Sequence, residues 1–429
     1  MKNERVRVAI IGAGVRGSHL AEQVTACPQT AQIVAVAEPN AERRRHCRQR
    51  YGLTDDALFV SWEDLCGSPL AFDAAIVATM DNQHAAPVLA CLSRGCHVLV
   101  EKPLADTLRD CRLIAESQRR TGLVVSVCHT LRYMNAFRQI KAIAASGVLG
   151  RLMHVAHMEA IGHLRFTHNY VRGRWAREAS NTFLLLHKCC HDLDFVAWLI
   201  GEPCARVSSF GCLGHFTPAH APAGSGKRCV EDCRIQGTCP YSAMRLYVDG
   251  DLTGRLQDLG DAHTREARLE AVRRGPFGTC VWHAGNDVVD HQIVALEFAG
   301  GTTATCTMSG FSAVHGRRTC LQGTKGELRF DEALGTVTVK EFSRPEPDVI
   351  RVRAPDSYHP EDRDIVANWL SAIRDPSASV AVDAREAMKT HAIVFAAERS
   401  RKERRTVEMS ELDGPARNRA PAPAPNGEG

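Results

Sequence analysis

The sequence has little that would commit it to a membrane or to a nucleic acid. No apolar run approaches the roughly 20 residues that a membrane-spanning helix needs, and the N-terminal residues lead into a strand pattern without a signal-like segment. Net charge is only +4 over 429 residues. That leaves no basic block for a phosphate backbone, and the Arg-rich stretch from Arg399 to Arg405 reads as a solvated helix end. No internal repeat is visible. These absences predict a cytoplasmic protein with no nucleic-acid or membrane partner.

What the chain does have is length and cysteine. Its 429 residues suffice for about two or three domains, and its apolar and charged fractions are ordinary for a globular protein. Seventeen cysteines are present. Most of them, such as Cys91, Cys111, Cys128 and Cys306, sit singly among apolar residues, where cysteine acts as a small hydrophobe. Cytosolic thiols stay reduced, so no disulfide framework is expected.

Residues 6–17 read Val-Arg-Val-Ala-Ile-Ile-Gly-Ala-Gly-Val-Arg-Gly, a buried-type strand closing on Gly12, Gly14 and Gly17. In a dinucleotide-binding turn the first glycine permits the tight bend, the second lets backbone approach a pyrophosphate, and the third lets helix sit close to strand. The helix that begins there, with Val15 and Arg16 in its first turn, offers unpaired N–H groups to phosphate. A second apolar run, residues 33–37, ends in Glu38, 21 residues after Gly17. A carboxylate there accepts hydrogen bonds from ribose hydroxyls and repels a 2′-phosphate. NAD is therefore the expected cofactor, with NADP as the alternative because Arg43 and Arg44 follow closely. The competing reading makes Glu38 a solvated charge opening the Glu-Pro-Asn turn.

Short β-like runs at residues 6–11, 33–37, 74–79, 97–100 and 124–127 alternate with amphipathic helical stretches, the pattern of a doubly wound parallel sheet. Helical segments are expected at 135–146 and 183–200, with a strand at 151–158 between them and Gly147 and Gly150 punctuating the join. Runs at 292–298, 302–308, 326–330 and 337–342 are separated by Gly-rich turns and predict a large, mostly antiparallel open sheet. Helices are expected at 360–374 and 383–401, the second capped by Asp383. The Pro/Ala/Gly tail at 414–429 is expected to be disordered. The expected division is an N-terminal domain at 1–128, a second α/β domain at 129–413 with a Cys-rich insertion at 212–245, and the tail.

At Glu101-Lys102-Pro103 the chain resembles the Gfo/Idh/MocA oxidoreductases, the family of glucose-fructose oxidoreductase and the inositol dehydrogenases. The resemblance is carried by Gly-Ala-Gly-Val-Arg-Gly at the first turn, Ala-Thr-Met-Asp-Asn-Gln-His at 78–84, and Gly-Cys-His-Val-Leu-Val-Glu-Lys-Pro-Leu-Ala at 95–105. It extends through Leu131-Arg132-Tyr133, Cys190-His191-Asp192-Leu193-Asp194 and Gly323-Thr324-Lys325-Gly326-Glu327. It implies a Rossmann domain, a C-terminal α/β domain whose open sheet mediates a homo-oligomer, dimer or tetramer, and a pocket between them. The implied reaction is hydride transfer between nicotinamide and a secondary alcohol of a carbohydrate or cyclitol.

On that resemblance Thr79, Asp81, His84 and Glu101 line the cofactor, while Lys102 and His191 handle the hydroxyl proton. Lysine suits the role because a desolvated ammonium can lose its proton near neutral pH, and imidazole because its ordinary pKa lies near 6.5. The family pattern has an aspartate four residues before this histidine and a glycine two before; here those positions hold His187 and Cys189. Lys188 or His187 then takes part in proton transfer or holds a substrate hydroxyl, although a structural His187 fits equally well. Met80-Asp81 replaces the usual Pro-Asn. Tyr133, and the loop carrying Tyr170, Arg172 and Trp175, are candidates for gripping a polyol, with ordinary packing the alternative.

Cys229, Cys233 and Cys239 form C-x3-C-x5-C in a Pro/Gly-flanked loop. Three thiolates on a short loop can anchor zinc, with Cys280 the preferred fourth ligand and Cys212, His215 or His220 the others. Free thiols, an iron–sulfur cluster and a disulfide remain alternatives. Two further functions stay open: a redox-neutral glycoside hydrolase or lyase that oxidises a ring carbon transiently on retained NAD, and a non-catalytic nucleotide or sugar sensor.

Overall fold

The computed structural model describes residues 5–251, 254–352 and 361–412. The expected tail at 414–429 lies outside them, as does the first residue of the helix expected from Pro360. The N-terminal part builds a parallel sheet from β1 (Val6–Ile11), β2 (Ala31–Ala37), β3 (Leu58–Phe59), β4 (Ala74–Val77), β5 (His97–Val100) and β6 (Val125–Val127), in the order β3-β2-β1-β4-β5-β6. Helices α1 (Val15–Thr25), α2 (Ala41–Tyr51), α3 (Trp62–Gly67), α4 (Ala85–Ser93) and α5 (Leu108–Thr121) supply the crossovers. Central strands β1 and β4 are apolar and buried along nearly their whole length, as a sheet covered on both faces requires. The order reverses between β1 and β4, so the crevice at their C-terminal ends is the ligand position of such a sheet.

After α6 (Asn135–Ala145) the chain forms a second, mixed sheet. It uses β7 (Leu152–Ala160), β8 (Cys204–Cys212), β9 (His291–Phe298), β10 (Thr303–Ser309), β11 (Gly316–Gly323), β12 (Gly326–Asp331), β13 (Thr336–Glu341), β14 (Asp348–Arg351) and β15 (Val407–Glu408), in the order β14-β13-β12-β11-β7-β10-β9-β8-β15. Its pairs are antiparallel except β7 with β10. β9 alternates buried and exposed residues, so one face packs on the core and the other stays open. Between β7 and β8 lie the four-residue α7 (His163–Phe166) and α8 (Leu184–Ile200), the latter buried along most of its length. Phe137 meets Phe195 and Phe330 edge-on, with ring centroids 4.8 and 5.4 Å apart, each pair worth about 0.5–1.5 kcal/mol beyond its burial.

The sequence pattern does not reveal β8, β11 or β14. β8 carries Ser-Ser-Phe-Gly-Cys rather than an apolar alternation, and β11 is Arg- and Gly-rich because a buried arginine sits on it. After α9 (Arg265–Arg274), α10 (Glu361–Arg374) and α11 (Ala384–Glu403) complete the helices. α10 returns to the first sheet, where Ile365, Val366, Trp369 and Leu370 join the core formed by Val8, Ile10 and Leu20. α11 bridges the two sheets' cores, placing Ala384 and Ala387 in one and Ile393 and Val394 in the other. Among the described residues no helix is long and apolar enough to cross a membrane.

His391 on α11 is fully buried, with Nδ1 2.7 Å from the Ala387 carbonyl and Nε2 accepting from the Leu104 N–H at 3.0 Å. Burial, helped by nearby His129, pushes its pKa down to about 3. An unfolded histidine titrates near 6.5, so stability present above that pH is lost progressively as pH falls towards 3. We expect His391→Gln to flatten the pH dependence of unfolding free energy between pH 6 and 4 by up to ~1.4 kcal/mol per pH unit, read from urea denaturation at each pH.

Candidate active site

The glycine turn is built for close approach. Gly12 has φ +89°, and a Cβ there would lie 2.7 Å from the Ala78 carbonyl oxygen; one on Gly17 would lie 1.9 Å from that of Gly12. Gly14 caps α1 without any side-chain hydrogen bond, leaving the first N–H groups of the helix for an anion. Val15, the next residue, is exposed. Glu38 is buried, with its carboxylate accepting from Ala13 N at 2.8 Å and Asn40 N at 2.9 Å. Arg43 stands 3.8 Å from it. These residues form a cradle that fits a dinucleotide, with the glycine turn for pyrophosphate and Glu38 beside the ribose position.

The Arg16 side chain is held by two carboxylates. Its Nε donates to Glu101 at 2.7 Å, and its two terminal nitrogens clasp Asp362 of α10 at 2.7 Å each. Glu101 in turn accepts the Lys102 N–H at 3.1 Å, just before the cis Lys102-Pro103 peptide. Burial opposes ionisation of Glu101, but Arg16 and Lys102 hold its pKa below the usual value. His84 pins this turn to the preceding loop, with Nδ1 2.6 Å from the Pro103 carbonyl and Nε2 3.3 Å from that of Thr79. The Thr79 hydroxyl closes the same loop on Gln83 O at 2.9 Å.

Across the crevice, α8 presents His187 and His191 one turn apart. Lys102 Nζ donates to the His187 carbonyl at 2.7 Å, and His187 Nδ1 lies 2.6 Å from Asp81 Oδ2. Asp81 is nearly buried; burial would raise its pKa, yet His187 and Lys102 bring it down to about 2. His191 is pushed well below its usual pKa by burial and by Lys102, and its Nδ1 is buried without a hydrogen-bond partner. Trp175 packs 5.0 Å and Tyr170 5.8 Å from the His187 ring.

Other expected site residues are committed elsewhere. Lys188 pairs with buried Glu159 at 2.8 Å, within a network in which Arg317 reaches Glu159 at 3.0 Å and Asp192 at 2.7 Å. The Tyr133 hydroxyl bonds to Asn368 at 2.8 Å. Arg172 turns into the insertion, donating to Thr279 O at 2.7 Å, Tyr241 O at 2.8 Å and Cys229 Sγ at 3.5 Å. These bonds turn its Nε and Nη2 into the insertion, while Nη1 is buried with no hydrogen-bond partner among the described residues.

The expected zinc site finds no support. Cys229, Cys239 and Cys280 are buried, Cys233 is half-buried and all four thiols are free, but among the described residues no group of three or more His, Cys, Asp or Glu is placed to hold a metal ion. Buried thiols beside an arginine and aromatic rings are accommodated as small packing groups. Sequence reasoning missed the Asp81–His187 pair, although the replacement of the usual Asn by Asp81 and Asp by His187 was its signal. It also missed the Arg317 network and His391, whose positions carry no motif.

Residues 6–129 match the model of an oxidoreductase family's NAD-binding Rossmann fold, and residues 141–409 match that family's C-terminal alpha/beta domain. The chain is 29% identical over 234 residues to inositol 2-dehydrogenase 4 of Saccharopolyspora erythraea, a match over 52% of this chain and 62% of that relative. It is 27% identical over 253 residues to 1,5-anhydro-D-fructose reductase of Ensifer adhaerens, covering 58% and 71%. The chain thus spans about three fifths of the length of the inositol dehydrogenase relative. A levoglucosan dehydrogenase in complex with NADH and levoglucosan shares the fold at TM-score 0.68 and 17% identity, over 95% of this chain and 100% of that one. An Agrobacterium radiobacter oxidoreductase in complex with NAD+, L-tartaric acid and magnesium does so at 0.69 and 15%, over 95% and 100%.

Replacing Glu38 by Ala should weaken NADH binding about tenfold and leave NADPH within threefold, the loss of a charged hydrogen bond to ribose. Fluorescence titration with both nucleotides checks this; equal losses for the two would remove Glu38 from ribose recognition.

Proposed function

Because this chain belongs to the Gfo/Idh/MocA family of NAD-binding oxidoreductases, we propose that it is an NAD(P)-dependent dehydrogenase. Its substrate on this reading is a secondary alcohol of a sugar, sugar derivative or cyclitol, as in the inositol dehydrogenase relative. The observation that carries the reading is the bond from Lys102 Nζ to the backbone of α8 at His187. It brings the end of β5, beside the dinucleotide crevice, against the helix that bears His187 and His191.

When bound, the nicotinamide supplies the hydride acceptor or donor. The chain's own groups do the rest. Lys102 Nζ, fixed to the α8 carbonyl, has further N–H bonds with which to hold the reacting hydroxyl. His191, kept neutral by burial, offers an imidazole for the same oxygen or its neighbour. Trp175 and Tyr170 wall the site beside His187 and exclude water from that side, as sugar binding on an apolar ring face requires. Lys188, held by Glu159, acts by setting the local field.

We expect Lys102→Met to lower turnover ~10²–10⁴-fold, the loss of the charged donor that holds the reacting hydroxyl in place, while NADH affinity stays within threefold. The assay follows NADH absorbance over a panel of polyols and glycosides. Glycoside cleavage on retained nucleotide with no net NADH would replace this reading by redox-neutral chemistry, and full activity of the Met variant would leave the chain a binding protein.

The open face of the second sheet exposes Phe210 and Ile293, which are paired across β8 and β9, and Val349 on β14. Apolar side chains along an uncovered sheet support a homo-oligomer formed through this face. Light scattering should give a dimer or tetramer, and Ile293→Asp combined with Phe210→Asp should shift it towards monomer; a wild-type monomer at micromolar concentration would overturn the assignment.

A further inference from the structure

Two histidines face the crevice from one side of α8, and they differ in how they are held. The His191 ring has a buried Nδ1 with no partner among the described residues, so no hydrogen bond there selects its tautomer. His187 is held at its Nδ1, its carbonyl and its ring. Its Nδ1 meets Asp81 Oδ2 at 2.6 Å, its carbonyl accepts from Lys102 Nζ at 2.7 Å, and Trp175 and Tyr170 pack against its ring. Among the described residues no hydrogen bond reaches its Nε2.

The charges around this ring come from three elements. Asp81 lies on the turn after β4, Lys102 on the turn after β5, and Lys188 on α8 itself. Burial lowers the His187 pKa more than Asp81 raises it, while Asp81 stays ionised. A neutral imidazole opposite a carboxylate places its one proton on Nδ1, in the hydrogen bond, and leaves the Nε2 lone pair free. That tautomer is the competent one for a base.

Resting on the dehydrogenase reading, we propose that His187, oriented by Asp81, is the proton acceptor of this enzyme, with His191 a binding group. In oxidation the O–H bond of the substrate breaks and its proton passes to His187 Nε2, while hydride leaves the carbon for nicotinamide C4 and the C–O bond becomes a carbonyl. The two electrons go with the hydride. The imidazolium so formed is stabilised by Asp81, and the reverse reaction returns the proton. Asp81 is a positioning residue. It also joins the two halves of the crevice, being 106 residues from its partner.

The tautomer is tested on the full chain without substrate, by nitrogen-15 NMR of histidine-labelled protein with His187→Gln for assignment. At pH 7 the His187 signals should be those of a neutral ring protonated on Nδ1, and Asp81→Ala should move the proton to Nε2. A wild-type ring protonated on Nε2, or a doubly protonated ring, overturns the proposal whatever the substrate. Kinetics with myo-inositol as probe, or with the polyol that the panel shows to be turned over, gives the second arm. His187→Gln is expected to lower kcat ~10²–10⁴-fold with KM little changed, and His191→Asn to act chiefly on KM. Asp81→Ala should move the acidic limb of the kcat/KM profile to lower pH, because the carboxylate that raises the His187 pKa is gone. Loss of the acidic limb in His191→Asn but not in His187→Gln overturns the assignment. If no polyol reduces NAD+ yet the tautomer is as described, the dehydrogenase reading fails and the orientation stands, so the acceptor role is withdrawn.

Discussion

One guanidinium, that of Arg16, holds the dinucleotide turn, the Glu-Lys-Pro turn and a C-terminal helix in a single arrangement. It begins on α1, one residue after the exposed Val15, and it spends its donors on Glu101 and Asp362. Glu101 then fixes the backbone N–H of Lys102. Without this cation two buried carboxylates would face each other across a low-dielectric crevice, and one of them would have to take up a proton or move. The position of Lys102 therefore depends on a residue that the glycine motif alone would assign to phosphate.

The same economy organises α8. On one face it meets the nucleotide-binding half through His187 and Lys102, and on the adjacent face Lys188 and Asp192 enter a buried lattice with Glu159, His157 and Arg317. Arg317 holds both acids below their usual pKa against the opposing effect of burial. Neighbouring residues on one helix thus serve separate tasks because about 100° of rotation separates them.

Legibility from sequence followed the kind of force involved. The parallel sheet was readable because its strands are continuous apolar runs separated by helix signals, and the open sheet was readable in β9, β10, β12 and β13, where residues alternate. It was unreadable in β8 and β11, whose place in the sheet rests on partners far along the chain. Glu38, Lys102 and His191 could be nominated by spacing and resemblance. Arg172 and Tyr133 could not be separated from packing residues, since an aromatic or basic side chain near a pocket looks the same whether it turns in or out. The Asp81–His187 contact was written as two departures from a pattern, in segments 106 residues apart; only the fold shows that they compensate each other.

The six-residue π-turn Thr167–Arg172 leads from the pocket into the cysteine-bearing insertion. Tyr170 leans on His187, while His168 stacks on Phe277 and Arg172 is knotted into Tyr241, Thr279 and Cys229. The ring that packs on His187 is therefore suspended from the insertion. A substitution in that insertion can shift the Tyr170 ring against His187 while leaving α8 and the glycine turn in place.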